Sequence, residues 1–340
     1  MRGELKVENL EQPRVDMRIA SKLLDVDELL GEPQEKPKQD GQPAPAGESR
    51  PREDDPSLKQ YAFKGLFTLD RVLYGGDEYR NFRGEVTLQD GVLRLVDCTF
   101  EMFGGTISAR GSEAEIWRGK MPFKANLALK GIDLNQALSA KTQYKDLVFG
   151  LSDLNLSVSG RGFETKDLEE SLNGALELAM KQGRFAKGSV TRSVLGDTAV
   201  LSKVPGVKLD KLQADNAIRD LLASFEIKNG RLNLKKPMAL GLDRSRMALD
   251  GAIGIAGGLF MKGTYFVSPD AVASVSNGKC APKEELQVPI DIAGTLKEPS
   301  FRPDVKGLAG AIGAACVAGR LDDLAGKAAD QLKAKLGVSS

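Results

Sequence analysis

Apolar and polar side chains alternate in short runs along most of this 340-residue chain, and two-residue turn signals join the runs. Asp-Gly, Asn-Gly and Gly-Gly pairs between alternating runs mark antiparallel hairpins, because both central positions need a positive φ. Asp90-Gly91, Gly104-Gly105, Asn229-Gly230 and Gly257-Gly258 are such pairs, and each fixes a register. Around Asp90-Gly91, Leu88 faces Leu93 and Val86 faces Leu95, with Thr87 and Arg94 on the other side. Around Gly104-Gly105, Met102 meets Ile107 and Phe100 meets Ala109. Around Asn229-Gly230, Ile227 meets Leu232 and Phe225 meets Leu234, while Glu226, Lys228, Arg231 and Asn233 lie outside. These three turns predict a sheet that is apolar on one face and polar on the other. Gly257-Gly258 fails the same test, since it would set Ile253 against Lys262. Further alternating runs cover 123–130, 154–159, 172–180 and 288–296.

Helical periodicity is scarcer. Residues 187–204 are periodic enough for a helix stopped by Pro205-Gly206, and 167–172 read as one helical turn. Val305, Leu308, Ile312, Ala315 and Cys316, then Leu321, Leu324, Ala328, Leu332 and Leu336, follow three-four spacing, so 305–340 is expected to be a C-terminal helical segment broken near Gly319. Residues 31–57 hold six prolines and eleven charges, with only Ala44 and Ala46 apolar. Such a stretch buries too little to offset its ordering entropy and reads as a disordered linker. Residues 1–30 before it are too few for a domain. They echo a later stretch: Pro13, Val15, Met17, Ile19, Leu24-Asp25-Val26 and Leu29 line up with Pro122, Phe123, Ala125, Leu127, Leu129, Ile132-Asp133-Leu134 and Leu138. The unit is a strand followed by an Asp-capped helical turn, which marks 1–30 as the remnant of a preceding β repeat and 58–304 as the main β body.

Composition narrows the function. The 48 Lys and Arg against 47 Asp and Glu leave +1 without a basic block, which is no footprint for nucleic acid. The absence of histidine removes Ser-His, Cys-His and imidazole acid-base mechanisms and His-containing zinc sites. Cys98, Cys280 and Cys316 match neither a redox pair nor a zinc ribbon, and read as small buried hydrophobes, with a Cys280–Cys316 disulfide as the other reading. Gly183 to Ser189 and Gly258 to Thr264 have P-loop glycine spacing but lack the phosphate-reaching Lys. Trp117 is expected to anchor a turn rather than to bind a sugar. No run approaches the ~18 apolar residues of a membrane span, and no apolar segment follows Met1 as in a signal peptide. No catalytic, cofactor or metal residue is expected. What remains is the apolar face, which either packs on a second layer or lines a groove open to acyl chains.

The run Val288-Pro289-Ile290-Asp291-Ile292-Ala293-Gly294-Thr295-Leu296, continuing to Pro299, Phe301 and Pro303-Asp304, resembles the closing strand of the AsmA-like family. Gly91-Val92-Leu93-Arg94-Leu95, Phe103-Gly104-Gly105-Thr106-Ile107, Gly131-Ile132-Asp133-Leu134, Leu172-Asn173-Gly174 and Phe225 to Gly230 resemble earlier elements of that family's C-terminal region, in the same order. The likeness spans about 60–305, with 1–30 similar to the tail of a preceding repeat.

The resemblance implies a mainly β fold: a repetitive antiparallel sheet curved into an elongated groove or taco-like sandwich. It also implies a Gram-negative envelope protein, attached to the inner membrane by one N-terminal helix and reaching into the periplasm. Its role would be non-enzymatic, in phospholipid transport to the outer membrane or in outer-membrane assembly. The alternative is a structural module that meets envelope partners through strand edges or helices. No anchor stands in this sequence, so the chain is expected to be a piece of a longer protein, or to act without membrane attachment of its own. The expected lipid lining is Val86, Leu88, Leu93, Leu95, Phe100, Met102, Ile107, Phe225, Ile227, Leu232 and Leu234, and the expected partner a phospholipid or other acyl lipid.

Overall fold

A computed structural model describes residues 2–9, 12–30, 53–142, 145–185, 216–275, 282, 284–304, 307, 310 and 313–314, and strands take 65% of them. The strands are β1 (Arg2–Glu8), β2 (Arg14–Ser21), β3 (Leu24–Asp25), β4 (Ala62–Tyr74), β5 (Asp77–Gln89), β6 (Val92–Met102), β7 (Gly105–Ser108), β8 (Ser112–Glu115) and β9 (Pro122–Asp133). They continue as β10 (Val148–Arg161), β11 (Asn173–Phe185), β12 (Ala217–Lys228), β13 (Arg231–Leu234), β14 (Met238–Leu242), β15 (Ser245–Gly254), β16 (Gly258–Val267), β17 (Leu286–Thr295) and β18 (Pro299–Pro303). Four short helices, α1 (Val26–Leu30), α2 (Leu134–Lys141), α3 (Thr165–Ser171) and α4 (Pro269–Val275), complete the described elements with a 3-10 turn at Pro56–Gln60. The chain is therefore mainly β, as its alternation predicts. The helix read at 187–204, the C-terminal helical segment and both Cys280 and Cys316 lie outside the described residues, apart from four isolated positions between 307 and 314.

The chain divides into two compact units, one of residues 1–137, 151–178 and 225–232, the other of 138–150, 179–224 and 233–340. In the first, β1 pairs antiparallel with β2, and β2 lies parallel to β4 from Arg14↔Ala62 to Ser21↔Leu69. Antiparallel ladders then run β4 to β5 to β6, on to β7 and β8, and through both of these to β9 and β10. The echo in the sequence is seen in the turns that follow β2 and β9. After β2, Asp25 accepts the Glu28 amide at 3.0 Å and starts α1; after β9, Asp133 accepts the Gln136 amide at 3.0 Å and starts α2. Asp27 of α1 then accepts the amides of Gly75 and Gly76 at 2.9 and 3.4 Å, which ties this helix to the β4–β5 turn.

Three hairpins test the predicted registers directly. Leu88↔Leu93 and Val86↔Leu95 stand as expected, with Asp90 and Gly91 at φ 52° and 71°. The next turn is not Gly104-Gly105 but Phe103-Gly104, at φ 53° and 77°, so Phe100 meets Ile107 and Met102 meets Gly105. The register slides by two residues and keeps the faces. Gly105 is needed inside the strand, where a Cβ would run into the Lys130 carbonyl oxygen of β9. Gly257-Gly258 is likewise not the centre of its turn: the Gly257 amide donates to Gly254 at 2.7 Å, and Ile253 meets Leu259 instead of Lys262. Asn229 and Gly230 have φ 46° and 66°, and the Lys235 amide donates to Ser224 at 2.9 Å, as the predicted register requires.

The described residues begin again at Glu53, inside the stretch read as linker, and residues 53–60 have partners that composition does not reveal. The Asp55 amide donates to the Trp117 carbonyl at 2.7 Å, and Asp54 accepts the Gly119 amide at 2.9 Å. Lys59 Nζ lies 3.6 Å from the centroid of the Trp117 ring, and a Cβ at Gly91 would crowd that ring from the hairpin side. Trp117 anchors its turn, as expected.

In the second unit β12 pairs with β14, and β14 to β18 pair in succession, all antiparallel. Met247↔Tyr265↔Val288 and Leu249↔Gly263↔Ile290 cross the sheet on one face. Tyr265 and Val288 are 0% exposed, and Leu240, Met247, Leu249, Met261, Ile290 and Ile292 are buried with them. α4 adds buried Ala271 and Val272. Arg246, Asp250 and Lys262 alternate out to water on the other side.

Candidate functional site

Cross-strand registers place one apolar face along the first unit. It runs from Leu5 and Val7 of β1 to Met17 and Val15 of β2, then Phe63 and Phe67 of β4, Val86 and Leu88 of β5, and Leu93 and Leu95 of β6. It continues through Ile107 to Leu129 and Leu154, and through Ala114 to Phe123. Rings fill the broad middle: a Cβ at Gly65 would meet the rings of Phe63 and Phe67, and Phe82 lies in contact with Phe67 and stacks on Phe100, centroids 6.1 Å apart. Flat rings over glycine replace the side chain that the strand lacks and make a broad apolar surface.

Burial separates the eleven predicted lining residues. Val86, Leu88, Leu93, Leu95 and Phe100 share this face and are half-buried. Met102 and Ile107 are 8% exposed and close with Ile132 into a small core against Tyr79, Phe100, Phe103, Leu129 and Ala137. Phe225 and Ile227 are buried and Leu232 half-buried in the same unit, whereas half-buried Leu234 belongs to the other. Leu5 and Val7 are 66% and 49% exposed at the β1 end, and nothing in the alternation of the later strands points to them. Cys98 faces inward beside Gly84, buried and free, and burial pushes its thiol up.

The opposite face of this unit is charged and internally paired. Lys64 pairs with Glu85 at 3.0 Å, Arg71 with Glu78 at 2.7 Å, Arg110 with Asp97 at 2.9 Å, and Glu113 bridges Arg94 and Lys124 at 3.2 and 3.1 Å. A shallow 360 Å³ depression on this side is lined by Ser108, Arg110, Asn126, Asn155, Ser157 and Glu177 together with Leu127, Ala128, Leu156 and Ala175. Lys124 above all, with Arg94, holds the Glu113 carboxyl below its usual value. A lowered folded value stabilises the protein above the unfolded carboxyl pKa and is lost as the pH falls through it. Glu113→Gln is expected to lower the urea midpoint slightly at pH 7, as exposed pairs do, with the difference closing below about pH 4; paired urea titrations at pH 7 and pH 3 check this.

The first unit of this mainly β chain thus carries one half-open apolar sheet face backed by a paired polar face. Residues 3–237 match the model of the AsmA family, and the chain belongs to that family. Membership is consistent with envelope biogenesis or lipid transport in general. The matched stretch takes in β1 to β3 and stops short of the 288–304 run that carries the resemblance in the sequence. No curated protein and no solved structure matches the chain. Among the described residues no helix is long and apolar enough to cross a membrane, and no three His, Cys, Asp or Glu gather as a metal site would need.

Proposed function

We propose that this chain holds the acyl chains of phospholipid on the half-open apolar face of its first unit, without catalysis, and so serves lipid transport or assembly at the outer membrane from the periplasmic side of the inner membrane. One observation carries the reading: both units have an apolar sheet face, but that of the second is buried, while that of the first, though buried at Leu69, Cys98 and Met102, is half-buried at Phe63, Phe67, Val86, Leu88, Leu93 and Leu95 and open at β1. Two acyl chains covering several hundred Å² would contribute several kcal/mol at about 25 cal/mol per Å², with no directional contact required. A surface of that kind selects for chain length and fluidity more than for headgroup, since the charged groups sit on the other face and are paired among themselves.

Native mass spectrometry of protein purified from bacterial membranes tests this. Co-bound phospholipid, released by added detergent, is the expected result. A protein that emerges free of lipid and also rejects a fluorescent acyl probe would refute the reading.

A further inference from the structure

The polar face of the first unit changes character at β9 and β10. Over β4 to β8 it carries long charged side chains paired across strands. Between the Lys124–Glu113 pair at 3.1 Å and the Lys130–Asp153 pair at 3.4 Å, the outward positions are instead Asn126 and Ala128 on β9, opposite Ser157 and Asn155 on β10. Short neutral side chains leave a hollow there. It is the 360 Å³ depression, whose volume falls within the ~300–1,000 Å³ of small-molecule sites.

The polar groups of the hollow are of two kinds. Asn126 is already engaged: its side-chain oxygen accepts the Ser157 hydroxyl at 2.7 Å, and its side-chain nitrogen donates to the Gly111 carbonyl at 3.1 Å. Asn155 and Glu177 have no side-chain partner among the described residues. Asn155 ends the row Ser108, Ala128, Asn155 across β7, β9 and β10, and the methyl groups of Ala128 and Ala175 line the same hollow.

These groups select the chemistry of a ligand. It must both donate and accept, because the Asn155 carboxamide offers two donors and an acceptor while the Glu177 carboxylate only accepts. It must also present C–H surface to the alanine methyls. An anion would meet Glu177, and the Arg110 guanidinium is taken by Asp97 at 2.9 Å. An extended peptide would need free backbone groups, and those of β9 and β10 stand in ladders on both sides. A sugar ring carries hydroxyls around its edge and C–H bonds on its faces. We infer that this hollow binds a neutral oligosaccharide, with Asn155 and Glu177 on adjacent hydroxyls and Ala128 and Ala175 under the ring. A second depression, of 490 Å³, includes Lys124, Ser159 and Asn173, one outward position further along β9, β10 and β11, and gives the sugar chain a path beyond the first ring.

Saturation-transfer NMR of the whole chain with maltotriose, cellotriose and chitotriose tests this. Transfer to at least one of these trisaccharides is expected. For that sugar, Asn155→Ala is expected to raise Kd about tenfold, as the loss of one or two hydrogen bonds does, and Ala128→Gln, which fills the floor, to abolish transfer. Lys64→Ala, on the same side at β4, is expected to bind as wild type does. A circular dichroism spectrum like that of wild type shows each variant folded; should Ala128→Gln not fold, Asn155→Ala decides alone. The hollow lies on the side away from the apolar face, so Asn155→Ala is expected to keep the wild-type lipid count, and the two readings fail separately. No transfer to any of the three sugars, transfer to a tetra-alanine peptide in their place, or a sugar affinity unchanged by Asn155→Ala would each overturn the inference.

Discussion

Aspartate in place of Leu95 is expected to leave the protein folded and to remove its bound lipid, whereas aspartate in place of Val288 is expected to unfold the second unit. Val288 is fully buried beside Tyr265, which is also without exposure. A carboxylate there must shed its hydration or stay protonated, and burial raises such a group by up to ~3–5 pKa units, at about 1.4 kcal/mol each. Losing the apolar contacts of the valine adds about 1.5 kcal/mol or more. The total approaches the ~5–15 kcal/mol that holds a whole domain together. Leu95 lies on an equally apolar face, but it is only half-buried, so a carboxylate there reaches water and the fold loses little. What it does lose is the continuity of the apolar surface between Val86 and Ser112, its partners on β5 and β8. Thermal melts by circular dichroism and lipid counts by native mass spectrometry read the two outcomes separately. Equal destabilisation by the two substitutions would mean that the first face is as closed as the second.

A second large effect is expected from Gly251→Val, with Gly254→Ala as its quiet neighbour. Gly251 sits in β15 at φ 132°, a conformation that side chains rarely adopt and that costs about 1–3 kcal/mol. A Cβ there would strike the Phe260 carbonyl oxygen and lie 2.8 Å from Met261 Cα. Those atoms cannot give way, because β16 is held on its far side by β17 through Met261↔Ile292. The loss is expected to reach about 3–5 kcal/mol, among the largest of single substitutions. At Gly254 the nearest atoms to a Cβ are 3.9 Å away, an ordinary contact. Urea titration of both variants gives the result; a Gly251→Val midpoint equal to that of Gly254→Ala would contradict the packing described.

Legibility in the sequence followed locality. Where a turn needs positive φ at two adjacent positions and apolar residues stand at matching distances, as around Asp90-Gly91, the register could be read without a structure. Around Gly104 three candidate turn residues adjoin, and the choice is made by the Lys130 carbonyl of β9, which lies 25 residues further on and is invisible to a local pattern. The β15–β16 turn hides its register because Gly257 follows the turn rather than centring it. β4 escaped the alternation reading since Gly65 interrupts its apolar side, and its pairing with β2 depends on a strand before the proline-rich segment. Of the apolar face, the stretch from Val86 to Ile107 was legible while its β1 and β4 parts were not; nor was its division into a buried part and a half-open part, because alternation states which side a residue takes and says nothing of what stands above it.

The parallel joining of β2 to β4 also sets a temporal order. Ladders from β4 to β7 close over short turns, while Asp27 must find Gly75 across 48 residues, a loop whose closure entropy is met only after its partner surface exists. In kinetic terms the β1–β2 hairpin is expected to dock onto a sheet already formed, as the last piece of the first unit to assemble and the first to let go.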